Sequence, residues 1–407
     1  MRMVSRGVEC LALALGLAGC TASNSSAGSV QAASGSSSRE ATAVQYTYEG
    51  VDDWDSPIPT ADGKITLHDV IDPMAKDGTD MDAFVHSELG EFVVSSGYLN
   101  NHVGDLSSSE VTSYWAERGM VHEAHDANDQ DRQWASLVPD DYDPNKSYPL
   151  LFVWHGTGNP VLLAEGYGFG EAAAEKDWIV VFPWASNDDL YLSEFDRIYA
   201  YMCENYNIDT TKVYTTGFSK GGLMSQLLAL QRSHVIAAAA PCGMPAGGAP
   251  TEQLRSDDFT HAQAGIPMMF FGGELDGVTG PVPYDTDYKI RGVNGFLTLN
   301  GISDMGQTLK TSEELVKSGN DPVERAIGLT FDKTESIDRD GTTYRIGSYL
   351  NDDGKASVQF VECDGAIHWP TPSMANLALD FLDQWTTNDA MPMEEVDIQT
   401  FLRGSSK

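Results

Sequence analysis

Apolar residues in this chain fall into short continuous runs separated by amphipathic stretches, the pattern of buried parallel strands alternating with helices. Tyr148 to Trp154 (Y-P-L-L-F-V-W), Trp178 to Phe182, Lys212 to Thr216, Val235 to Ala240, Pro267 to Phe271 and Ser357 to Cys363 read as strands. Arg132 to Val138 alternates in the same way and is stopped by Pro139. Between and after these runs, residues 169–176, 191–206, 222–231 and 373–385 carry helical periodicity. The alternation implies an α/β architecture with a doubly wound, mostly parallel sheet.

Two regions break the rhythm. Residues 46–118 carry mixed signals and read as an N-terminal extension packed on the main domain, with a strand expected over Glu91 to Tyr98 and a short helix over Ser109 to Arg118. Within 119–388, the segment 280–355 is an inserted region expected to form a lid or substrate wall. Residues 293–302 and 312–318 read there as helices, and Ala326 to Phe331 and Thr343 to Tyr349 as strands. Residues 389–407 form an acidic tail.

Composition narrows the function. The 407 residues are 41% apolar and carry Lys+Arg 25 against Asp+Glu 60, a formal charge of −35. Such a surface repels phosphate backbones, which excludes nucleic acid as a partner. At the N-terminus, Arg2 and Arg6 precede an apolar run, Leu11 to Ala18, too short to span a bilayer. The tetrapeptide Leu17-Ala18-Gly19-Cys20 resembles the lipobox of bacterial lipoproteins. That resemblance implies removal of residues 1–19, lipidation of Cys20 and anchoring outside the cytoplasm, with residues 20–45 as a flexible Ser/Ala/Gly-rich tether. Export permits a disulfide, and Cys242–Cys363 is the expected pair because both follow strands that end on one side. No Cys/His spacing calls for a metal.

The chemistry centres on V-Y-T-T-G-F-S-K-G-G-L-M, residues 213–224. A β-branched run breaks at Gly217 and resumes as a helix, with Ser219 at the corner, the form of a nucleophile elbow, G-x-S-x-G. The motif alone is common by chance, and its strand-before, helix-after setting raises it. A serine needs a base oriented by a third group. Of the histidines after Ser219, only His368 follows a strand closely, while His234 and His261 read as surface residues. Asp276, in G-G-E-L-D-G-V just past a strand, is the candidate acid, with Glu274 as the alternative from the same loop. The backbone N–H of Lys220 and those of Gly156 and Thr157, in the loop after the Leu150–Trp154 run, are the candidate oxyanion donors.

Four blocks, P-L-L-F-V-W-H-G, V-Y-T-T-G-F-S-K-G-G, G-G-E-L-D-G-V and A-I-H-W-P, resemble those of the secreted polyhydroxybutyrate depolymerase and feruloyl esterase group of α/β-hydrolases. The resemblance spans roughly residues 119–388 and implies an α/β-hydrolase fold and a cofactor-free serine esterase. Ser219 would be nucleophile, His368 base and Asp276 acid. Ile367 stands where much of that group has Gly, and the 280–355 region is unlike the group's usual connection, so both leave the ester unnamed. A serine peptidase with the same triad, or a non-catalytic binding lipoprotein on the same fold, are the readings from other classes.

Overall fold

The computed structural model describes residues 71–93, 109–126, 132–157, 166–184, 188–302 and 321–389. The expected signal segment, Cys20, the tether, the helix over residues 312–318 and the tail beyond residue 389 lie outside the described residues.

The apolar runs become the strands of one sheet. In chain order these are β1 (Met120–His125), β2 (Trp134–Pro139), β3 (Tyr148–Trp154), β4 (Ile179–Pro183), β5 (Ile208–Phe218), β6 (Ile236–Cys242), β9 (Met268–Gly273), β10 (Lys333–Arg339), β11 (Thr342–Leu350) and β12 (Ala356–Cys363). A separate short ladder pairs β7 (Gly248–Ala249) with β8 (Glu252–Gln253). The spatial order is β1-β2-β4-β3-β5-β6-β9-β12-β11-β10. The six central strands, β4 to β12 in that order, run parallel, and antiparallel pairs flank them. From β3 the chain moves to one side for β4 and then to the other for β5. The strand order therefore reverses between β3 and β5, the place where open α/β sheets bind ligands beyond the carboxyl ends of their strands.

Burial on both faces explains the uninterrupted apolar runs. Along β3, Leu151 and Val153 join one core cluster while Leu150, Phe152 and Trp154 join the other. The helices Asp188–Asn205 and Lys220–Gln231 help cover the second face, and Pro372–Leu382 packs on the first. Ile71, Phe84 and Val85 of the N-terminal region enter the same cluster as Ile367 and Trp369.

Several expectations need correction. Residues 91–93 are helical rather than extended, and 94–98 lie outside the described residues. Ala326–Phe331 does not form a strand. Asp321 caps Val323 N–H, Pro322 takes the first helical position and Gly328 closes the turn at φ +82°, so Pro322–Ile327 is a short helix. Thr343 to Tyr349 is a strand as expected, within β11, and it pairs with β10 at the edge of the sheet.

The Cys242–Cys363 disulfide is also corrected, since both are free, buried thiols. Cys242 ends β6 and Cys363 ends β12, and β9 runs between them, with Phe271 beside the first and Gly273 beside the second. Two strand spacings are about 9.6 Å, beyond the roughly 7 Å Cα separation a disulfide spans. Burial pushes the Cys242 thiol up to about 12, which leaves it inert.

Candidate active site

β5 ends at Phe218, and the helix Lys220–Gln231 begins two residues later. Ser219 joins them with φ +55° and ψ −114°, a left-handed conformation for a residue with a side chain. That strain costs on the order of 1–3 kcal/mol and persists only where the surroundings enforce it. Here they do. Ser219 N–H donates to the Cys242 carbonyl at the end of β6 (2.9 Å), and a Cβ on Gly221 would collide with the Trp154 carbonyl at the end of β3. Glycine at 221 is what lets the helix start press against β3. The elbow thus sits beside the point where the strand order reverses.

Asp276 lies in the loop after β9 and His368 in the loop after β12, on adjacent parallel strands. Their side chains meet at 2.6 Å between Oδ2 and Nδ1, with both residues buried. The other carboxylate oxygen accepts from the backbone N–H groups of Val278 (2.9 Å), Thr279 (3.0 Å) and Gly280 (3.3 Å). Burial opposes ionisation, but the His368 imidazole and these N–H donors outweigh it and hold the Asp276 carboxyl below its ordinary value. An ionised carboxylate only accepts, so His368 Nδ1 is the donor of this bond, and in the neutral imidazole that tautomer keeps the lone pair on Nε2.

Gly243 links this pair to the elbow. Its backbone lies against the Phe218 and His368 rings, whose centroids are 4.6 Å apart, and its carbonyl accepts from Thr279 Oγ1 at 2.9 Å. Ser219 Oγ itself makes no hydrogen bond among the described residues. The structure therefore joins the candidate acid to the candidate base directly and brings the elbow beside them without closing the serine contact. Such contacts commonly tighten only when substrate binds.

The other candidates separate clearly. Glu274 is exposed and accepts from Gly365 N–H at 2.9 Å, whereas it is Asp276 that bonds His368. His234 and His261 are exposed. Lys220 opens the elbow helix, so its backbone N–H belongs to the first turn, which lacks intrahelical acceptors. Its side chain pairs with Glu252. In the loop after β3, Gly156 N–H donates to Tyr167 Oη at 3.2 Å and Thr157 is exposed. An oxyanion drawing on Gly156 therefore has to displace that hydroxyl. His155 beside it is buried, and burial lowers its imidazole to about 4, so it is neutral and donates from Nδ1 to the Gly156 carbonyl at 2.7 Å. Tyr167 and Thr279 escaped the sequence reading. Thr279 had a signal, a hydroxyl three residues beyond the acid in D-G-V-T, whereas Tyr167 had none.

Glu274, Glu362 and Asp364 bring carboxylate oxygens together, and Arg345 Nη1 donates to Glu362 (2.6 Å) and Asp364 (2.9 Å). Arg345 is raised, as a paired cation is, once these partners outweigh its burial. Glu362 is raised too, to about 7, because its burial outweighs Arg345. Burial decides at Glu362, whose side chain is 2% exposed against 24% for Arg345. An acid raised on folding favours the folded state while protonated and loses that contribution as pH rises through about 7. Glu362→Gln is therefore expected to match the wild type near pH 4.5. At about pH 8 it should be more stable by on the order of 3 kcal/mol. Thermal melts across that range test this, and a gap that does not vary with pH would contradict it.

The strand order and the strained elbow define an α/β-hydrolase fold. No family model matches the chain. Among curated relatives it is similar to feruloyl esterase D of Neurospora crassa, 32% identical over 131 residues that cover 28% of this chain and 45% of that enzyme. It is also similar to feruloyl esterase C of Emericella nidulans, 33% identical over 116 residues, or 25% of this chain and 42% of that one. A third is the bifunctional acetylxylan esterase/xylanase of Neocallimastix patriciarum, 28% identical over 144 residues, 33% of this chain and 20% of that protein. The chain spans less than half the length of these relatives. Among solved structures, the acetyl xylan esterase from Aspergillus awamori matches with a TM-score of 0.43 and 14% identity, over 64% of this chain and 98% of that one.

Proposed function

We propose that this chain is an extracytoplasmic serine hydrolase, lipid-anchored through Cys20, that cleaves carboxylic esters without a cofactor. One observation carries the reading: the buried Asp276 carboxylate meets His368 Nδ1 at 2.6 Å, which directs Nε2 of the neutral ring to the role of base, beside a serine strained into an elbow. Similarity to feruloyl and acetylxylan esterases supports an ester over other acyl substrates.

Ser219 Oγ attacks the ester carbonyl as its proton passes to His368 Nε2. The oxyanion is received by Lys220 N–H and by the Gly156–Thr157 loop, each good donor contributing roughly 10²-fold or more to rate. His368 then protonates the departing alkoxide, leaving an acyl-Ser219. Water attacks that acyl group, gives its proton to Nε2 and releases the acid with the serine restored. Asp276 stabilises the imidazolium throughout and stays ionised.

Accessible substrates are feruloyl or acetyl esters on polysaccharide, short polyester oligomers and small acyl esters. The acidic surface disfavours anionic ones. A panel of p-nitrophenyl esters, methyl ferulate, acetylated xylan and polyhydroxybutyrate, with peptide anilides alongside, tests the class. Hydrolysis of at least one ester with intact anilides is expected. Cleavage of anilides alone would make the chain a peptidase, and turnover of nothing would favour a binding protein. Detergent phase partition tests the anchor, since Cys20→Ala should move the protein into the aqueous phase.

A further inference from the structure

The loops that carry the acid and the base meet a third segment, which belongs to the N-terminal region. The Met74 carbonyl accepts from His368 N–H at 3.0 Å and from Gly277 N–H at 3.1 Å. One carbonyl therefore ties the backbone of the base to the residue after the acid. Ala75 forms an antiparallel bridge with Asp276 itself, and Lys76 N–H donates to the Leu275 carbonyl at 2.8 Å. Lys76 Nζ also reaches the Glu274 carbonyl. The contact is close enough that a Cβ on Gly277 would overlap the Ala75 carbonyl.

Both ends of this segment are anchored. Ile71 is buried at 0% exposure, and the 3₁₀ turn Asp72–Met74 follows it. Beyond the segment, Asp80 caps the helix Met81–Val85, which sinks Phe84 and Val85 into the core shared with Ile367 and Trp369. A strap fixed at two points thus crosses the triad loops by backbone bonds. The two loops also bond to each other, Leu275 N–H donating to Ala366 O at 2.8 Å. What the strap adds is a hold on the amide of His368.

We infer that Met74–Lys76 is a positioning element for the catalytic pair, setting the placement of His368 and Asp276 relative to the elbow. This inference rests on the esterase reading for its kinetic test. Small misplacements of reacting groups cost about 100-fold in rate. Displacing the strap should therefore lower kcat while leaving KM, set by groups elsewhere, largely unchanged.

Three full-length variants and one measurement on the wild type test this. Lys76→Pro removes the N–H that bonds Leu275, and Gly277→Ala pushes the Ala75 carbonyl away. Lys76→Ala keeps the N–H and loses only the side-chain bond. On p-nitrophenyl butyrate, Lys76→Pro and Gly277→Ala are expected to lose about 10- to 100-fold in kcat with KM within about threefold, and Lys76→Ala to stay near wild type. Folded variants with unchanged kcat would overturn the inference, as would an equal loss in Lys76→Ala. Hydrogen exchange on the wild type decides the case if the variants do not fold. The amides of Lys76, Gly277 and His368 are expected to share one level of protection. An unprotected Lys76 beside a protected His368 would show that the strap does not hold the base. If the wild type hydrolyses no ester, the esterase reading falls, while the exchange result still judges the strap.

Discussion

Replacing Asp276 with Asn is expected to lower kcat on p-nitrophenyl butyrate by about 10³- to 10⁴-fold with little change in fold. The size follows from hydrogen-bond bookkeeping at one carboxylate. Oδ1 accepts three backbone N–H groups, from Val278, Thr279 and Gly280, and so that corner must remain an oxygen. An amide placed there turns its NH₂ toward His368 Nδ1. The imidazole then has to accept at Nδ1, which moves its proton to Nε2 and removes the lone pair that would take the serine proton. Glu274→Gln is the control, expected to change kcat by less than about threefold, because Glu274 accepts from Gly365 N–H and it is Asp276 that bonds the imidazole. A larger loss for Glu274→Gln than for Asp276→Asn would reverse the assignment of the acid.

The second large effect is at the elbow. Ser219→Ala is expected to reduce kcat/KM by about 10⁴- to 10⁶-fold, with the residue coming from oxyanion donors and binding alone. Stability should not fall with it. Ser219 sits at φ +55° and its side chain makes no hydrogen bond among the described residues, so Ala loses no bond there and keeps the same backbone strain. A thermal melt within a few degrees of wild type, together with the kinetic loss, would separate a chemical role from a structural one.

Much of this is legible in the sequence, and the reason is physical. β3, β4, β5, β6, β9 and β12 are buried on both faces, so they are written as apolar runs, and the chemistry sits in the loops that follow them. Chain order narrows the candidate base to His368 and the candidate acid to Asp276 or Glu274, and of these two it is Asp276 that meets His368, at 2.6 Å. Elsewhere the code is weaker. β10 (K-T-E-S-I-D-R) is an edge strand with none of its residues buried, so no apolar run marks it and it forms by pairing with β11. Ala326 and Ile327 are apolar enough for a strand, but Asp321, Pro322 and Gly328 decide the segment by capping. The disulfide expectation failed because strands that end on one side of the sheet need not be adjacent, and β9 intervenes. Met74 acts through a carbonyl that every residue possesses, so no side-chain pattern marks it.

The central claim is that Ser219 is a nucleophile activated by His368. Labelling with a fluorophosphonate probe, read by mass spectrometry of the peptide containing residue 219, tests it most directly. The account predicts one covalent adduct on Ser219, absent in Ser219→Ala and slowed at least about 10³-fold in Asp276→Asn. An unlabelled wild type, or equal labelling of Ser219→Ala, would contradict it.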